Sequence, residues 1–454
     1  MFSKIGQLIF NNEVVGKTQN FTMGIEVEMQ RIGQNGKLSK APYPSKAGDQ
    51  KSNPWITNDF LETMSEIITP PSDNDLDAMH YLYHINNSLR IALSPGEMLW
   101  PLSMPPALPK DKSKILIAKK DPQVKAYLNK WNKRHKTSEG IPCGIHINLS
   151  IKNQIIDMLY TKKRDRFSNS IQLANYLYTI MAQGFLRYRW LLTYLFGMSP
   201  VAEKNYFDPG KELKFPIRSI RQSHYGFGNN HFRGDYSNIQ NYVNKILKAV
   251  KDDILIANRE FHGAVRFKGN KNLKDLPTTG VKYIELRMLD LDPSSSVGIR
   301  TNTLRFIKLL AIYFLMSPHL SFKEINKIIK RADQKNEEVA TEYPNNKCKY
   351  QKNAQNFLEK LKLFANQLQL GPEYQEEIQD MIERVNNPKN TPAARLITHL
   401  RDSSLTSYAL RQAKNYQHSA LQSIRPFKGF NKKNKLSKKE LKDKLFHGSW
   451  EPKK

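Results

Sequence analysis

Apolar and polar residues alternate at period two in three separated segments of the chain. The first is Phe21–Gln30, in which every second side chain from Phe21 to Met29 is apolar. The other two are Cys143–Ser150 and Val281–Met288. Because successive side chains of a strand point to opposite faces, each segment is predicted to be a strand with one apolar and one polar face.

Apolar residues at helical spacing fill longer segments. They recur every three or four residues over about 73–93, and similar patterns run over about 168–196, 301–316 and 353–387. Residues 99–106 contain three prolines, which remove backbone donors, so this segment is predicted to be an irregular connector. The helices would cover the apolar face of a sheet whose polar face stays open, which is an α+β arrangement.

Composition narrows the class of protein. Of the 454 residues, 39% are hydrophobic and 25% are charged, which is normal for a globular chain. The longest apolar stretches are interrupted by arginine, lysine or glutamine, so no transmembrane helix is expected. Cys143 and Cys348 give no disulfide framework, and Met1–Phe10 is too short an apolar run for a secretory signal. We therefore expect a cytoplasmic protein.

The formal charge of +29 suggests an anionic partner, which could be nucleic acid, a membrane surface or a polyphosphate such as ATP. Charge alone does not choose among them. Lysine is concentrated between residues 428 and 444, so we expect one catalytic domain over 1–430 and a flexible basic tail over 431–454.

Acidic residues stand out on the polar faces of this basic chain. Glu26 and Glu28 share one face of the first strand about 7 Å apart. At an effective dielectric constant of about 20 they would repel by roughly 2.4 kcal/mol, and a divalent cation would reverse that term. Glu285 and Arg287 share the polar face of the third strand. Together these residues suggest a site that holds hard cations and phosphate.

Seven blocks of the sequence resemble bacterial glutamate-cysteine ligase, and especially the ligase half of the bifunctional glutathione-synthesising enzymes. In order, they are Gly24–Glu28, Trp55–Phe60, Glu66–Pro70, Leu99–Pro105, Gly144–Asn148, Tyr194–Pro200 and Tyr283–Arg287. The resemblance spans about residues 20–430. It implies a glutamine-synthetase-like fold, in which an open antiparallel sheet forms a funnel and helices pack on its apolar face.

The resemblance also implies a reaction. ATP would phosphorylate the γ-carboxylate of L-glutamate, and an amine, L-cysteine by default, would attack the acyl phosphate to give γ-glutamylcysteine. The implied cofactor is Mg²⁺ or Mn²⁺, and ATP is a co-substrate. The implied metal ligands are Glu26, Glu28, Asp59, Glu66 and Glu285. By the same resemblance Arg287 would stabilise the transferring phosphoryl group, Arg221 would bind glutamate, and His146 would line the same cleft as a second catalytic candidate.

The acceptor side departs from the family pattern. In that family the pocket for cysteine is lined largely by tyrosines, and the corresponding positions here are Phe227 and His262. Trp131 is a further substrate-binding candidate at a position where the family has another side chain. These departures leave open a γ-glutamyl ligase of the same mechanism that uses an amine other than cysteine.

An alternative from another class is an inactive ligase scaffold that binds nucleic acid. The net positive charge and the lysine-rich tail suggest this alternative. The sequence lacks a recognised nucleic-acid motif or interleaved aromatic and basic residues, and it keeps all five candidate metal carboxylates. We therefore expect neither nucleic acid nor a membrane as the partner.

Overall fold

The structure is a computed structural model that describes residues 2–11, 21–50, 53–118, 122–226, 232–270, 272–318, 324–423 and 437–446. The strands in these residues are β1 (Phe21–Ile32), β2 (Ile56–Asn58), β3 (Met64–Ile68), β4 (Met98–Leu99), β5 (Ile145–Ile151), β6 (Val265–Lys268) and β7 (Tyr283–Leu289). The helices are α1 (Lys4–Phe10), α2 (Asp75–Ala92), α3 (Pro122–Arg134), α4 (Asn153–Lys162), α5 (Ser170–Phe196), α6 (Ile239–Lys251), α7 (Leu276–Thr279), α8 (Thr301–Met316), α9 (Ile325–Ala340), α10 (Gln351–Gln367), α11 (Pro372–Asn386), α12 (Pro392–Ile397), α13 (Thr406–Ser423) and α14 (Lys438–Phe446).

One antiparallel sheet organises the described residues. Its strand order is β2-β3-β1-β5-β7-β6, and the short strand β4 pairs with the end of β1. The three alternating segments predicted from the sequence are β1, β5 and β7, which are neighbours at the centre of this order. The prediction of an α+β fold with an open antiparallel sheet is therefore confirmed.

The apolar face of the sheet forms the core. Val27 of β1, Ile147 of β5 and Leu286 of β7 have no exposed surface. Helix α5 packs against β6 and β7, and α2 packs against β1 and β3. Complete burial of each such aliphatic side chain contributes about 1.5–3 kcal/mol, so this face holds the central strands in register while their other face stays available.

Three of the four predicted long helices are confirmed as α2, α5 and α8. The fourth prediction, one helix over about 353–387, is wrong because this segment forms two helices, α10 and α11. Gln369 takes the left-handed conformation at φ +53°, and Pro372 occupies the first turn of α11. A proline ring cannot continue a preceding helix, so the apolar periodicity runs across a break.

The proline-rich connector after β4 is irregular, as predicted, although its first residue belongs to β4. Trp100 is fully buried, and its indole Nε1 donates to the carbonyl oxygen of Met104 at 2.8 Å. The backbone N–H of Trp100 donates to the carbonyl of Gln30 at 2.8 Å. The connector is therefore anchored to the end of β1.

The end of the chain differs from the expected flexible tail over part of its length. In α14, Leu445 and Phe446 are buried, and the ring of Phe446 lies 4.2 Å from Tyr81 of α2 and 5.4 Å from Trp55. A helix with two buried apolar residues is an ordered part of the fold. Residues 431–436 and 447–454 lie outside the described residues, and the boundary at residue 430 stays a prediction.

Two further expectations concern membranes and cysteines. Among the described residues, no helix combines the length and the apolar character that a membrane crossing requires. Cys143 and Cys348 are both buried and form no disulfide.

A buried carboxyl group lies between α8 and α11. Glu377 of α11 is 3% exposed, and its Oε1 is 3.6 Å from Nη1 of Arg305 in α8. Burial raises the pKa of Glu377 to about 7, with Asp380 acting in the same direction and Arg305 opposing. The unfolded carboxyl ionises near pH 4.5. Stability from this group is therefore present at low pH and is lost as the pH rises from about 4.5 to 7.

We predict that Glu377→Gln stabilises the protein increasingly as the pH rises, because the amide cannot ionise. Its gain in free energy of unfolding over the wild type should be about 2 kcal/mol larger at pH 8 than at pH 5. Urea unfolding at the two pH values measures the difference. The exposed neighbour Glu376 provides the control Glu376→Gln, and an equal gain for both variants would contradict the assignment.

Candidate active site

The polar face of the sheet forms one wall of a cavity of about 470 Å³. Ten residues singled out from the sequence line it: Glu26, Glu28, Asp59, Glu66, Trp131, His146, Arg221, His262, Glu285 and Arg287. Phe227 lies outside the described residues. Side chains from residue 26 to residue 287 are thus gathered around one space.

Strand register explains how residues so distant in sequence meet. Glu26 is paired with His146 across β1 and β5, and Glu28 is paired with Glu66 across β1 and β3. Asn148 is paired with Glu285 across β5 and β7. Residues paired across an antiparallel ladder project on the same face, so these pairs place acids from three strands beside each other.

Two glutamates and a histidine form a group with metal-ligand spacing. Ligand atoms of Glu26, His146 and Glu285 all lie within 4.8 Å of one another. The Nδ1 of His146 is 3.3 Å from Oε2 of Glu26, and its Nε2 is 3.6 Å from Oε1 of Glu28. His146 and Glu285 are 2% exposed, so the group is largely withdrawn from water.

The carboxylates are held by hydrogen bonds as well as by register. The side-chain amide of Asn148 donates to Oε1 of Glu26 at 2.8 Å, and the backbone N–H of Gly144 donates to Oε2 of Glu28 at 2.8 Å. Burial by itself raises the pKa of Glu26, but hydrogen bonds from His146 and Asn148 hold that pKa below its ordinary value. Glu26 is therefore anionic at neutral pH.

Cations of β6 and of β7 itself surround Glu285. Its carboxylate lies 3.1 Å from Nζ of Lys268, 3.4 Å from Nη1 of Arg287 and 3.7 Å from Nη1 of Arg266. Burial opposes ionisation, yet these cations hold the pKa of Glu285 well below its usual range. Burial likewise lowers the pKa of Arg287, but the nearby carboxylates, Glu285 foremost, raise it overall. Glu285 thus lies among the cations of β6 and β7.

The ladder between β5 and β7 contains one irregularity at the site. Ile147 is paired with Leu286, whereas Ile145 is paired with Leu289. His146 of β5 therefore lies opposite two residues of β7, Arg287 and Met288, which is a β-bulge. It lies beside Arg287, where the pairing of the two strands is interrupted.

Arg221 enters the cavity from a segment outside the sheet. Its Nη1 donates to the carbonyl oxygen of Leu289 at 3.0 Å and lies 3.8 Å from Oδ1 of Asp290. A Cβ atom on Gly144 would lie 1.8 Å from Nη2 of Arg221. The guanidinium therefore lies against the backbone of Gly144, in space that only a glycine leaves open.

Aromatic and aliphatic residues form another wall of the cavity. Trp131 and Leu128 of α3 line it together with Phe60. The rings of Trp131 and Phe60 meet edge to face with centroids 4.8 Å apart, and a Cβ on Gly140 would lie 2.7 Å from Cε1 of Phe60. This wall suits an apolar part of a ligand, whereas the sheet suits charged groups.

His262 is neutral in this site. Its Nδ1–H donates to the carbonyl oxygen of Glu260 at 2.7 Å. Burial, together with the charges of Arg287 and Arg266, lowers the pKa of His262 to about 3. The neutral imidazole of His262 therefore brings a polar but uncharged ring to the lining of the cavity.

A family model described as glutamate-cysteine ligase matches residues 7–254 and 230–339 of the chain. The chain belongs to the glutamate-cysteine ligase family. Glutathione biosynthesis bifunctional protein GshAB from Streptococcus mutans is 32% identical over 413 residues, covering 90% of this chain and 53% of that protein. The same-named protein from Pasteurella multocida is 31% identical over 399 residues, covering 87% and 52%. The chain thus spans about half the length of these curated relatives.

Solved structures of this family share the fold. A bifunctional glutathione synthetase from Pasteurella multocida superimposes with a TM-score of 0.83 at 28% identity, over 92% of this chain and 54% of that one. A glutamate-cysteine ligase from Francisella tularensis, determined in complex with AMP, gives a TM-score of 0.80 at 22% identity, over 95% and 99%. The second likeness concerns the fold alone.

Sequence reasoning for this family member missed several charged residues of the cavity. Arg266 and Lys268 of β6 line it, and so do Arg189 of α5 and Arg259. The alternation Val265-Arg266-Phe267-Lys268 is a period-two signal that could have revealed β6, but four residues are too few to distinguish it from a loop. Arg189 lies within a long apolar helix, where periodicity does not reveal which face meets a ligand.

We predict that Gly144→Ala lowers kcat/KM about tenfold or more while the protein stays folded, because the new methyl displaces the Arg221 guanidinium. Steady-state rates of ADP release and circular dichroism measure the two effects. Gly24→Ala is the matched control, since Gly24 lies on β1 opposite Asn148 of β5 and a Cβ there has only ordinary contacts, the nearest at 3.7 Å. Equal losses in both variants would count against the Arg221 explanation.

Proposed function

We propose that this chain activates the γ-carboxylate of L-glutamate with ATP and a divalent cation and joins it to the amine of L-cysteine. A γ-carboxylate oxygen attacks the terminal phosphorus of ATP, and ADP leaves. The amine nitrogen then attacks the acyl carbon, phosphate leaves, and the nitrogen loses a proton. The product is γ-glutamylcysteine. Family membership supports the reaction, and the cavity supports its chemistry.

The observation that carries the proposal is the group formed by Glu26, His146 and Glu285 next to Arg287. The two carboxylates are hard oxygen donors suited to Mg²⁺ or Mn²⁺, and the imidazole within 4.8 Å of both is a donor that Mn²⁺ accepts more readily than Mg²⁺. Oε2 of Glu285 and Nε2 of His146 are buried and make no hydrogen bond in the described residues. Buried polar atoms of this kind favour a bound cation as their partner.

We further propose that Glu28, Asp59 and Glu66 complete the cation-binding set on the other side of Glu26. These three residues line the same cavity. Divalent cations held there would offset the charge that a triphosphate brings into a cleft already lined by acids. In this proposal His146 binds and orients and does not shuttle protons, because both of its ring nitrogens face carboxylates.

Arg287 is proposed to stabilise charge on the transferring phosphoryl group, since its guanidinium lies among the cation-binding acids and projects into the cavity. Arg221 is proposed to bind the substrate glutamate. The apolar wall at Trp131 and the neutral ring of His262 are proposed to face the acceptor, together with Phe227 outside the described residues. An experiment is therefore needed to identify the amine that binds beside these three side chains.

ADP release in the presence of ATP, Mg²⁺ and L-glutamate should require glutamate and should be stimulated most by L-cysteine. The panel of acceptors should include L-2-aminobutyrate, which matches cysteine without the thiol, and a bulky apolar amino acid. Stronger stimulation by another amine would replace cysteine as the acceptor and keep the mechanism. Absence of ADP release with every amine would contradict the ligase activity itself.

Arg287→Ala should lower kcat by about 100-fold or more, because it removes the cation beside the reacting phosphoryl group. Initial rates at saturating ATP and glutamate measure the loss. Arg164→Ala is the control, since Arg164 is exposed and outside the cavity. Unchanged turnover and unchanged KM for glutamate in Arg287→Ala would rule out the assigned role.

A further inference from the structure

A buried carboxylate directly after β7 stands behind Arg221. The side chain of Asp290 is fully buried. Its Oδ2 accepts hydrogen bonds from Oγ of Ser219 at 2.7 Å, from Oγ of Ser199 at 2.8 Å and from the backbone N–H of Met198 at 2.9 Å. Three donors on one oxygen supply the hydrogen bonds that a carboxylate loses when it is removed from water.

The other carboxylate oxygen of Asp290 is directed to Arg221. Oδ1 makes no hydrogen bond in the described residues, and it lies 3.8 Å from Nη1 of Arg221. At this distance the interaction is electrostatic, and in a buried site it is only weakly screened. Oδ2 is therefore satisfied by neutral donors, and Oδ1 provides charge for the guanidinium.

The two serines connect Asp290 to the main chain of Arg221 as well. The hydroxyl of Ser199 donates to Asp290 and accepts the backbone N–H of Arg221 at 3.2 Å. The hydroxyl of Ser219 donates to Asp290 and accepts the backbone N–H of Gln222 at 3.1 Å. Each hydroxyl has a single hydrogen, so both are committed to the carboxylate. Asp290 is thus linked to Arg221 twice. The serines connect it to the main chain at this position, and its Oδ1 faces the guanidinium at the end of the side chain.

We propose that Asp290 is a positioning residue that holds Arg221 in the orientation that binds the substrate glutamate. This inference depends on the proposed function, because it concerns the substrate arginine of that reaction. The carbonyl of Leu289, the carboxylate of Asp290 and the bare backbone of Gly144 together enclose the guanidinium. Of these three, only Asp290 supplies charge, and its removal would take away the carboxylate that stabilises this buried cation most strongly.

Asp290→Asn tests the charge with little change of shape. The amide oxygen can still accept from the serines, which turns the amide NH₂ group toward the guanidinium and replaces attraction by a clash of donors. KM for glutamate should rise about tenfold, the size expected for one charge-assisted interaction, while KM for ATP stays within about twofold. Equal changes in the two KM values, or no change in either, would overturn the proposal.

The matched control is Asp292→Asn, two residues further along the chain. Asp292 is also an acid that pairs with an arginine, since its Oδ2 is 3.1 Å from Nε of Arg300, but it lies outside the cavity. Its kinetic constants should equal those of the wild type. A rise in KM for glutamate as large as in Asp290→Asn would assign the effect to general weakening of this segment and overturn the proposal.

A double-mutant cycle with Arg221→Lys separates positioning from stability. Lysine lacks the planar guanidinium that Asp290 orients. If Asp290 acts through that group, KM for glutamate in the double variant should match that of Arg221→Lys alone within about twofold. If the two substitutions instead raise KM for glutamate by factors that multiply in the double variant, Asp290 acts elsewhere and the proposal is overturned.

Two further measurements keep the test decisive. If Asp290→Asn does not fold, Ser219→Ala removes one hydrogen bond to the carboxylate and should raise KM for glutamate, by a smaller factor, without raising KM for ATP. A rise in both KM values, or in neither, would again overturn the proposal.

Wild-type ADP release is measured first. Its absence would refute the proposed function, whereas an active wild type with unchanged KM for glutamate in Asp290→Asn would refute only the role of Asp290.

Discussion

The electrostatic balance on the polar face of the sheet is the constraint on which the rest of the site depends. Glu26, Glu28 and Glu285 lie close together, with Glu28 and Glu285 buried and Glu26 partly buried, and like charges repel strongly in such a setting. Arg287 lies beside Glu285 and offsets that repulsion, and the imidazole of His146 lies between Glu26 and Glu28. The apolar face of the sheet fixes the strand register, because burial of its side chains stabilises the pairing of the strands. That pairing in turn brings the acids together.

Charge is divided unequally between the two sides of the cavity. Glu285 alone faces three cations, whereas Glu26 and Glu28 have only a histidine, an amide and a backbone N–H in the contacts described above. The β1 side of the cavity is thus acidic and suited to cations, and the β6 and β7 side is basic and suited to phosphate. A nucleotide with divalent ions would match both sides at once.

Local pattern predicted much of the fold, because a sheet with one buried face imposes period two on β1, β5 and β7. Pattern could not indicate the break between α10 and α11, where Gln369 and Pro372 override an apolar periodicity that continues through it. The polar faces suggested that Glu26 and Glu285 share a site, but the pattern could not indicate that β5 lies between β1 and β7, since strand order is a long-range property. Arg189 and Asp290 were missed because a single charged residue in an apolar setting carries no signal of what it faces.

The bulge in β7 has a consequence for face parity. Leu286 and Leu289 are paired with Ile147 and Ile145, so both lie on the buried side although three positions separate them. In an uninterrupted strand an odd separation would put them on opposite sides. The extra residue resets the alternation, so the carboxylate of Asp290 emerges beside the substrate cavity and not within the hydrocarbon interior. Deleting one residue here would exchange a leucine for an acid in the core.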